Sequence, residues 1–530
     1  MNRHKNRGQI SVFACAMISV FLILILTVLQ CIRLWEGKAK SGQAVVAATD
    51  SLKGDFQPDL FRRYHLLALD QTYYGRGEGY LEERVKEYLE YNLNPSHGLY
   101  DFQVQEAMLS DVKTLVEDEQ YGFRQQIQAY MEQRLPIAVV EQVIEKASGQ
   151  ESDQGQEISF AGLEEEMEFS SDSLDHPTSE QLRLSGLEEI LNSQGITDSE
   201  DITMEDLMNM NLAERGLITD PQNALESLMG TDILYLIMPE QVMTVSKNQI
   251  PTTGLPSGEN AQDHTDAVWF ENRTPQSVSN LTTLLSQNPS GLSFDDVSFD
   301  TEEVYGIIYA LDSFQYFGNT EEAKTDTEGE YHALEYEVEY MIAGQLSDYE
   351  NLSKIAEELC LLRLVPNAAY AFTNQDMKDT ALLLSALVLA PVGLAEVAEP
   401  VSYVLLACWA YGESIMDVRC LFQGECVPLM KDKDSWQLSL NGLQNIATEE
   451  VSGCDRENGL NYEEHLILLL ATMPDLKLKY DRMLDLMQLN IQRKIPQFQI
   501  KNCIYEFQLQ AEISESHNTW YFEEKGSYLP

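Results

Sequence analysis

Ile10 to Leu29 reads ISVFACAMISVFLILILTVL, twenty residues without a charge. At about 1.5 Å of rise per residue, such a run is roughly 30 Å long as a helix, the thickness of a hydrocarbon core. Lipid offers the backbone no partner, so the run must satisfy its own hydrogen bonds and is predicted to be helical. Arg3, Lys5 and Arg7 precede it, while Arg33, Glu36, Lys38 and Lys40 follow as a weaker, mixed set. Positive charge favours the cytoplasmic side. Residues 1–9 are therefore expected to form a cytoplasmic basic tail, residues 10–32 a transmembrane helix, and the remainder an extracytoplasmic body. A cleaved secretory signal would have a shorter apolar region ending in a small-residue site. Here the nearest small residues, from Ala44 to Ala48, lie beyond the charged stretch, which favours an uncleaved signal-anchor.

Outward from this run, residues 33–146 are expected to hold a helical stalk and the first part of an α+β body. Ala44, Ala47, Ala48 and Leu52 recur at helical spacing, so the stalk continues the anchor and Pro58 ends it. Tyr64–Asp70 (YHLLALD) is a short apolar run, read as a buried strand with His65 as a core histidine. Leu81, Val85, Tyr88 and Leu89 mark one helix face, Phe102 and Val104 begin a strand, and Phe123, Ile127, Tyr130 and Met131 mark a further helix that resumes over Val139–Ile144.

Residues 147–206 change character. Between Glu151 and Asp206 stand seventeen acidic residues against one basic residue, Arg183, the signature of a flexible acidic insert. Residues 207–245 are expected to form a short ordered segment, in which the apolar run Ile233–Met238 is strand or buried helix. Residues 246–300 read as a polar, loop-rich insert. Residues 301–530 read as a helix-rich C-terminal body ending in a strand. Thr380–Ala395 and Val401–Trp409 are apolar but short and broken by Pro, Gly and Glu, so buried core helices fit better than a membrane-dipping hairpin. Leu466–Met473 and Leu476–Ile491 are helices separated at Pro474. From Tyr505 to Ile513 apolar residues alternate strictly with Glu and Gln, as in an antiparallel strand with one wet face.

The net charge of −51 argues against nucleic acid as a partner, because a phosphate surface would repel the body. Beyond Cys15 and Cys31 there are six cysteines: Cys360, Cys408, Cys420, Cys426, Cys454 and Cys503. None forms a CxxC pair, no histidine stands at ligand spacing, and the irregular intervals fit buried single thiols. Serine-hydrolase, zincin, phosphate-loop and dinucleotide-binding motifs do not occur. No catalytic residue, metal ligand or cofactor site is therefore expected. The most interesting polar cluster is Glu413, Asp417 and Arg419 within the apolar helix Trp409–Leu421. Glu413 and Asp417 share a face at i, i+4, where close carboxylates would raise one another's pKa for acid/base work. The competing reading is a buried ion-pair network reaching Arg363 or a loop, with Asn367 on the preceding helix as a further partner.

Several stretches resemble one family. They are GQISVFACAMISVFLILILTVLQCIRL, RRYHLLALD, EDEQYGFRQQIQAYMEQR, LEYEVEYMIAGQLSDYENL, LLRLVPNAAYAF, WAYGESIMDVRCLFQGECVPLMKDKDSW, YEEHLILLLATM and LDLMQLNIQ. In this order they are similar to a family of uncharacterised membrane-anchored proteins of Gram-positive bacteria, encoded beside tight-adherence (Tad-type) pilus and type II secretion-like genes. The N-terminus resembles the anchors of TadE/TadG-like pseudopilins. Gly8 stands where a prepilin would be cut, but such proteins carry Glu five residues on and this chain has Phe13. The resemblance implies no activity and no functional residues. It implies a structural or assembly component of a pilus-like or secretion apparatus, with pilin-like or secretion-platform proteins as partners. The alternatives are a cell-surface enzyme acting on wall polymer through Glu413 and Asp417, or a surface ligand-binding module.

Overall fold

The computed structural model describes residues 5–77, 79–93, 100–134, 231–258, 301–319, 331–389, 398–440, 442–443, 446, 451, 459–473 and 476–529. The expected acidic insert, most of the second polar insert and the Val139–Ile144 helix lie outside these residues. The fold is helix-rich α+β, with an N-terminal apolar helix and a small antiparallel sheet of four strands. It divides into two compact units, residues 1–130 with 490–530, and residues 131–489.

The first unit is built on α1 (Lys5–Lys53), one unbroken helix. Its apolar first half is exposed along its length and is the one described helix long and apolar enough to cross a membrane. Its second half is not a free stalk. Ala44, Val45, Ala48 and Leu52 join a core with Leu81, Val85, Leu89 and Leu93 of α3 (Gly79–Leu93) and with Ile504, Phe507, Leu509, Ala511 and Ile513 of β3 (Cys503–Glu515). Burying each of the Val, Leu, Ile and Phe side chains among them contributes about 1.5–3 kcal/mol. This segment is thus welded to the sheet.

Pro58 does not end α1, which stops at Lys53. It opens α2 (Pro58–Tyr64), where its missing N–H costs nothing, and Gln57 caps the helix. The buried strand read over Tyr64–Asp70 shrinks to β1 (Leu69–Asp70). His65 sits in the left-handed region (φ 56°), caps α2 through its backbone N–H, and stacks on Tyr130 with ring centroids 4.4 Å apart. It is exposed rather than a core histidine. Leu67 then hydrogen-bonds the amide of Gln126 through both its N–H and its carbonyl, in place of a sheet ladder.

The sheet joins the two ends of the chain. β3 lies centrally, antiparallel to β2 (Phe102–Thr114) on one side and to β4 (Asn518–Ser527) and β1 on the other. Tyr505, Phe507, Leu509, Ala511 and Ile513 are buried and the intervening Glu and Gln are half-exposed, as the alternation predicts. The expected helix through Phe123, Ile127 and Met131 is α4 (Tyr121–Glu132).

In the second unit, Ile233–Ile237 is a helix, α5, N-capped by Asp232. It is followed by α6 (Thr301–Ser313), α7 (Glu337–Ala343), α8 (Asp348–Thr373), α9 (Gln375–Leu389), α10 (Ala398–Phe422), α11 (Tyr462–Thr472) and α12 (Leu476–Gln492). Phe372 stacks on Tyr403 and Arg363 pairs with Asp417, so α10 runs antiparallel to α8. Residues 404–422 of α10 are buried almost throughout, apart from the half-buried Val404, in keeping with a core helix.

Candidate functional site

Glu413 and Asp417 stand one turn apart on the face of α10 that meets α8. Arg363 and Asn367, also one turn apart, face them from α8. A loop from Cys426 to Leu438 closes over the group. Glu413 and Asp417 are 0% exposed, Arg363 is 1% and Lys431 is 6%.

Lys431, from the loop, is the centre. Its Nζ donates to Glu413 Oε1 (2.6 Å) and to the Ser435 carbonyl (2.9 Å). It also lies 2.6 Å from Asp417 Oδ1, an ion pair without hydrogen-bond alignment. Arg363 Nε donates to Asp417 Oδ2 (3.0 Å), and its two terminal nitrogens donate to the carbonyls of Pro428 (2.8 Å) and Leu429 (3.3 Å). Asn367 Nδ2 reaches Asp417 Oδ2 (3.0 Å) and Ser414 Oγ (3.1 Å). The backbone N–H groups of Gln437 and Leu438 donate to the two oxygens of Glu413 (2.9 and 2.7 Å). Two cations thus meet two anions, and both carboxylates are enclosed by donors.

The two acids respond in opposite directions. Burial pushes Glu413 up, against the pull of Lys431. Burial acts the same way on Asp417, but Arg363 and Lys431, with the Lys431 and Asn367 contacts, outweigh it and hold the group below its ordinary range. Carboxylates driven apart in this way characterise acid/base pairs in open clefts. Here neither oxygen pair meets solvent, and a polymer could reach them only if the 427–438 loop left its place. The arrangement is that of a closed network, in which each charge offsets the desolvation cost of another.

Arg419 does not join it. Two residues beyond Asp417 it points elsewhere, and its Nη2 donates to the carbonyls of Ile446 (2.8 Å) and Leu236. His465 on α11, which the sequence reading did not single out, is close enough to feel Arg363 and Asp417. Its Nδ1 lies 2.7 Å from the Asn461 carbonyl, so that nitrogen carries the proton. Burial, with Arg363 second, pushes it down to about 4. Among the described residues no group of three or more His, Cys, Asp or Glu side chains could hold a metal ion. Cys360, Cys408 and Cys503 are buried free thiols, as their spacing suggested. Cys420 departs from that expectation and is disulfide-bonded, a pairing that irregular spacing does not reveal.

The geometry therefore defines a class: an α+β protein with one apolar N-terminal helix fused to a small sheet unit, and a helical unit locked by internal charge pairs. The profile of a family of unknown function (DUF5702) matches residues 213–515, more than half of the chain. The chain belongs to that family. The matched region contains the whole buried network and β3, and leaves α1 and β4 outside. No curated protein and no solved structure matches the chain.

Proposed function

We propose that this protein is a membrane-anchored, extracytoplasmic structural or assembly component of a pilus-like or secretion apparatus, working through protein–protein contacts. The carrying observation is α1. Its exposed apolar half continues without a break into a half buried in the sheet unit, so any lateral contact made in the membrane is transmitted to that unit. Arg3, Lys5 and Arg7 support an inward N-terminus, and the Cys420 disulfide suits an oxidising compartment. The resemblance of the anchor to pseudopilin helices supplies the kind of partner: another apolar helix of the same type. The enzyme alternative draws no support from Glu413 and Asp417, whose oxygens are enclosed.

A photo-crosslinking residue in place of Phe13, and separately of Val20, in the full chain in its native membrane tests the reading. The expected product is an adduct with a second membrane protein carrying a pilin-like N-terminal helix. Adducts with lipid alone at both positions would overturn the assembly role.

A further inference from the structure

The register between α1 and β4 fixes where the sheet unit lies along the anchor. A Cβ placed on Gly37 would lie 3.2 Å from Trp520 Cη2, and one on Gly42 would lie 3.3 Å from the Phe522 ring. Further along, Tyr528 OH donates to the Lys53 carbonyl at 2.9 Å. Helix and strand therefore run side by side in the same direction. From Gly37 to Lys53 the helix rises about 24 Å, and from Trp520 to Tyr528 the strand rises about 26 Å, so the two stay in step.

Extended in the other direction, the same register reaches the membrane. From Trp520 back to His517 is about 10 Å of strand, equal to roughly seven residues of helix. That places the two-residue turn between β3 and β4, Ser516–His517, level with about residue 30, at the end of the uncharged run. An independent contact agrees: Arg33 Nη2 lies 2.6 Å from Glu515 Oε1, immediately before the turn. Ser516 and His517 are both exposed. Trp35 is 77% exposed. Two residues from both Arg33 and Gly37, it projects from the opposite side of the helix. Indole rings in that position occupy the headgroup layer.

We infer that the β3–β4 turn, with Trp35 on the other side of α1, is a lipid-contacting rim that seats the sheet unit directly on the phospholipid headgroups. The turn presents a hydroxyl, an imidazole and the Asn518 amide, groups able to hydrogen-bond phosphate and ester oxygens. The rim leaves no spacer between bilayer and sheet unit. This inference rests on the anchor reading of α1.

The test uses the full chain reconstituted in vesicles of phosphatidylcholine and phosphatidylglycerol, with a photo-crosslinking residue at one of three positions. At Phe21, within the apolar run, a lipid adduct is expected on any transmembrane reading. At His517 a lipid adduct several-fold above that at Lys525 is expected. Lys525 is exposed and lies about 27 Å further along β4. Adduct at Phe21 with His517 no higher than Lys525 would overturn the rim and leave the anchor standing. No adduct at Phe21 would overturn the anchor and the rim together.

Discussion

Lys431→Met is the most informative single change in the second unit. Lys431 makes the ion pair to Glu413 at 2.6 Å and shares Asp417 with Arg363. Methionine keeps the apolar stem and removes the ammonium. Glu413 would then be held only by the N–H groups of Gln437 and Leu438, and Asp417 by Arg363 and Asn367. Removing one partner of a buried pair costs about 3–5 kcal/mol, because the remaining charge has no water to return to. Cys360 offers a local readout. It is a buried free thiol on α8 whose Sγ faces the Ser414 carbonyl 4.0 Å away, so alkylation requires α8 and α10 to part. With opening in pre-equilibrium, a loss of that size raises the Cys360 labelling rate by about two to nearly four powers of ten, read by peptide mass spectrometry on the full chain. Glu413→Gln supplies the cycle. It costs one hydrogen bond, since the amide nitrogen must face a backbone donor. In Lys431→Met it also removes a stranded charge, so the double variant should label more slowly than additivity requires. An unchanged rate in Lys431→Met, or strict additivity, would refute the account of the network.

Glu339 is fully buried, and burial pushes it up to about 7 despite bonds from Phe317 N–H and Tyr462 OH. From about pH 4.5 to 7 the folded chain holds a proton that the unfolded chain has lost, so this group's contribution falls as pH rises, by about 3 kcal/mol in total. Glu339→Gln should flatten that decline when urea midpoints are compared at pH 5 and pH 8. His465 works the other way. With its pKa pushed down to about 4, it favours the fold above pH 6.5 and loses that contribution as pH falls toward 4. His465→Phe should remove the acid-side loss over that window. In the first unit, a Cβ on Gly526 would meet the Phe507 ring at 2.4 Å, so Gly526→Val should cost about 1–3 kcal/mol and lower the thermal midpoint of the sheet unit.

What could be read in advance depended on how far each signal extends along the chain. The N-terminal helix carries a long unbroken apolar run, and the α3 face and β3 carry periodic patterns; helix, face and strand stand where those signals put them. YHLLALD failed because seven apolar-rich residues cannot distinguish a strand from buried coil. The deciding features were the left-handed backbone at His65 and the distant side chain of Gln126. β4 was missed although Trp520 and Phe522 alternate with Tyr521 and Glu523, since the Ser516–His517 turn lacks the glycine that marks a hairpin. In the network, Glu413, Asp417 and Arg363 were legible because helical spacing aligns them. Lys431 was not. It arrives on a loop whose path is set by tertiary contacts, including the Asp432 turn closed by Ser435.

The two units call for different explanations of their polar residues. In the second, charge is drawn inward: the Glu413–Lys431–Asp417–Arg363 group replaces apolar packing between α8, α10 and a loop. Well-packed apolar residues often stabilise as well or better. What the charged version adds is register, since Lys431 satisfies both acids only when the loop and both helices meet at one setting. In the first unit the register comes instead from small residues. Gly37 and Gly42 let Trp520 and Phe522 approach the backbone of α1, which fixes β4 along the helix, with the Arg33–Glu515 pair at the turn end. A helix leaving a bilayer and immediately entering a sheet core must hold its rotation as well as its depth. Close glycine contacts supply both, because any turn of α1 about its axis would drive a bulkier residue into the Trp520 ring. On the anchor reading proposed above, the same contacts would also set which face of the apolar half of α1 is left for a neighbouring helix.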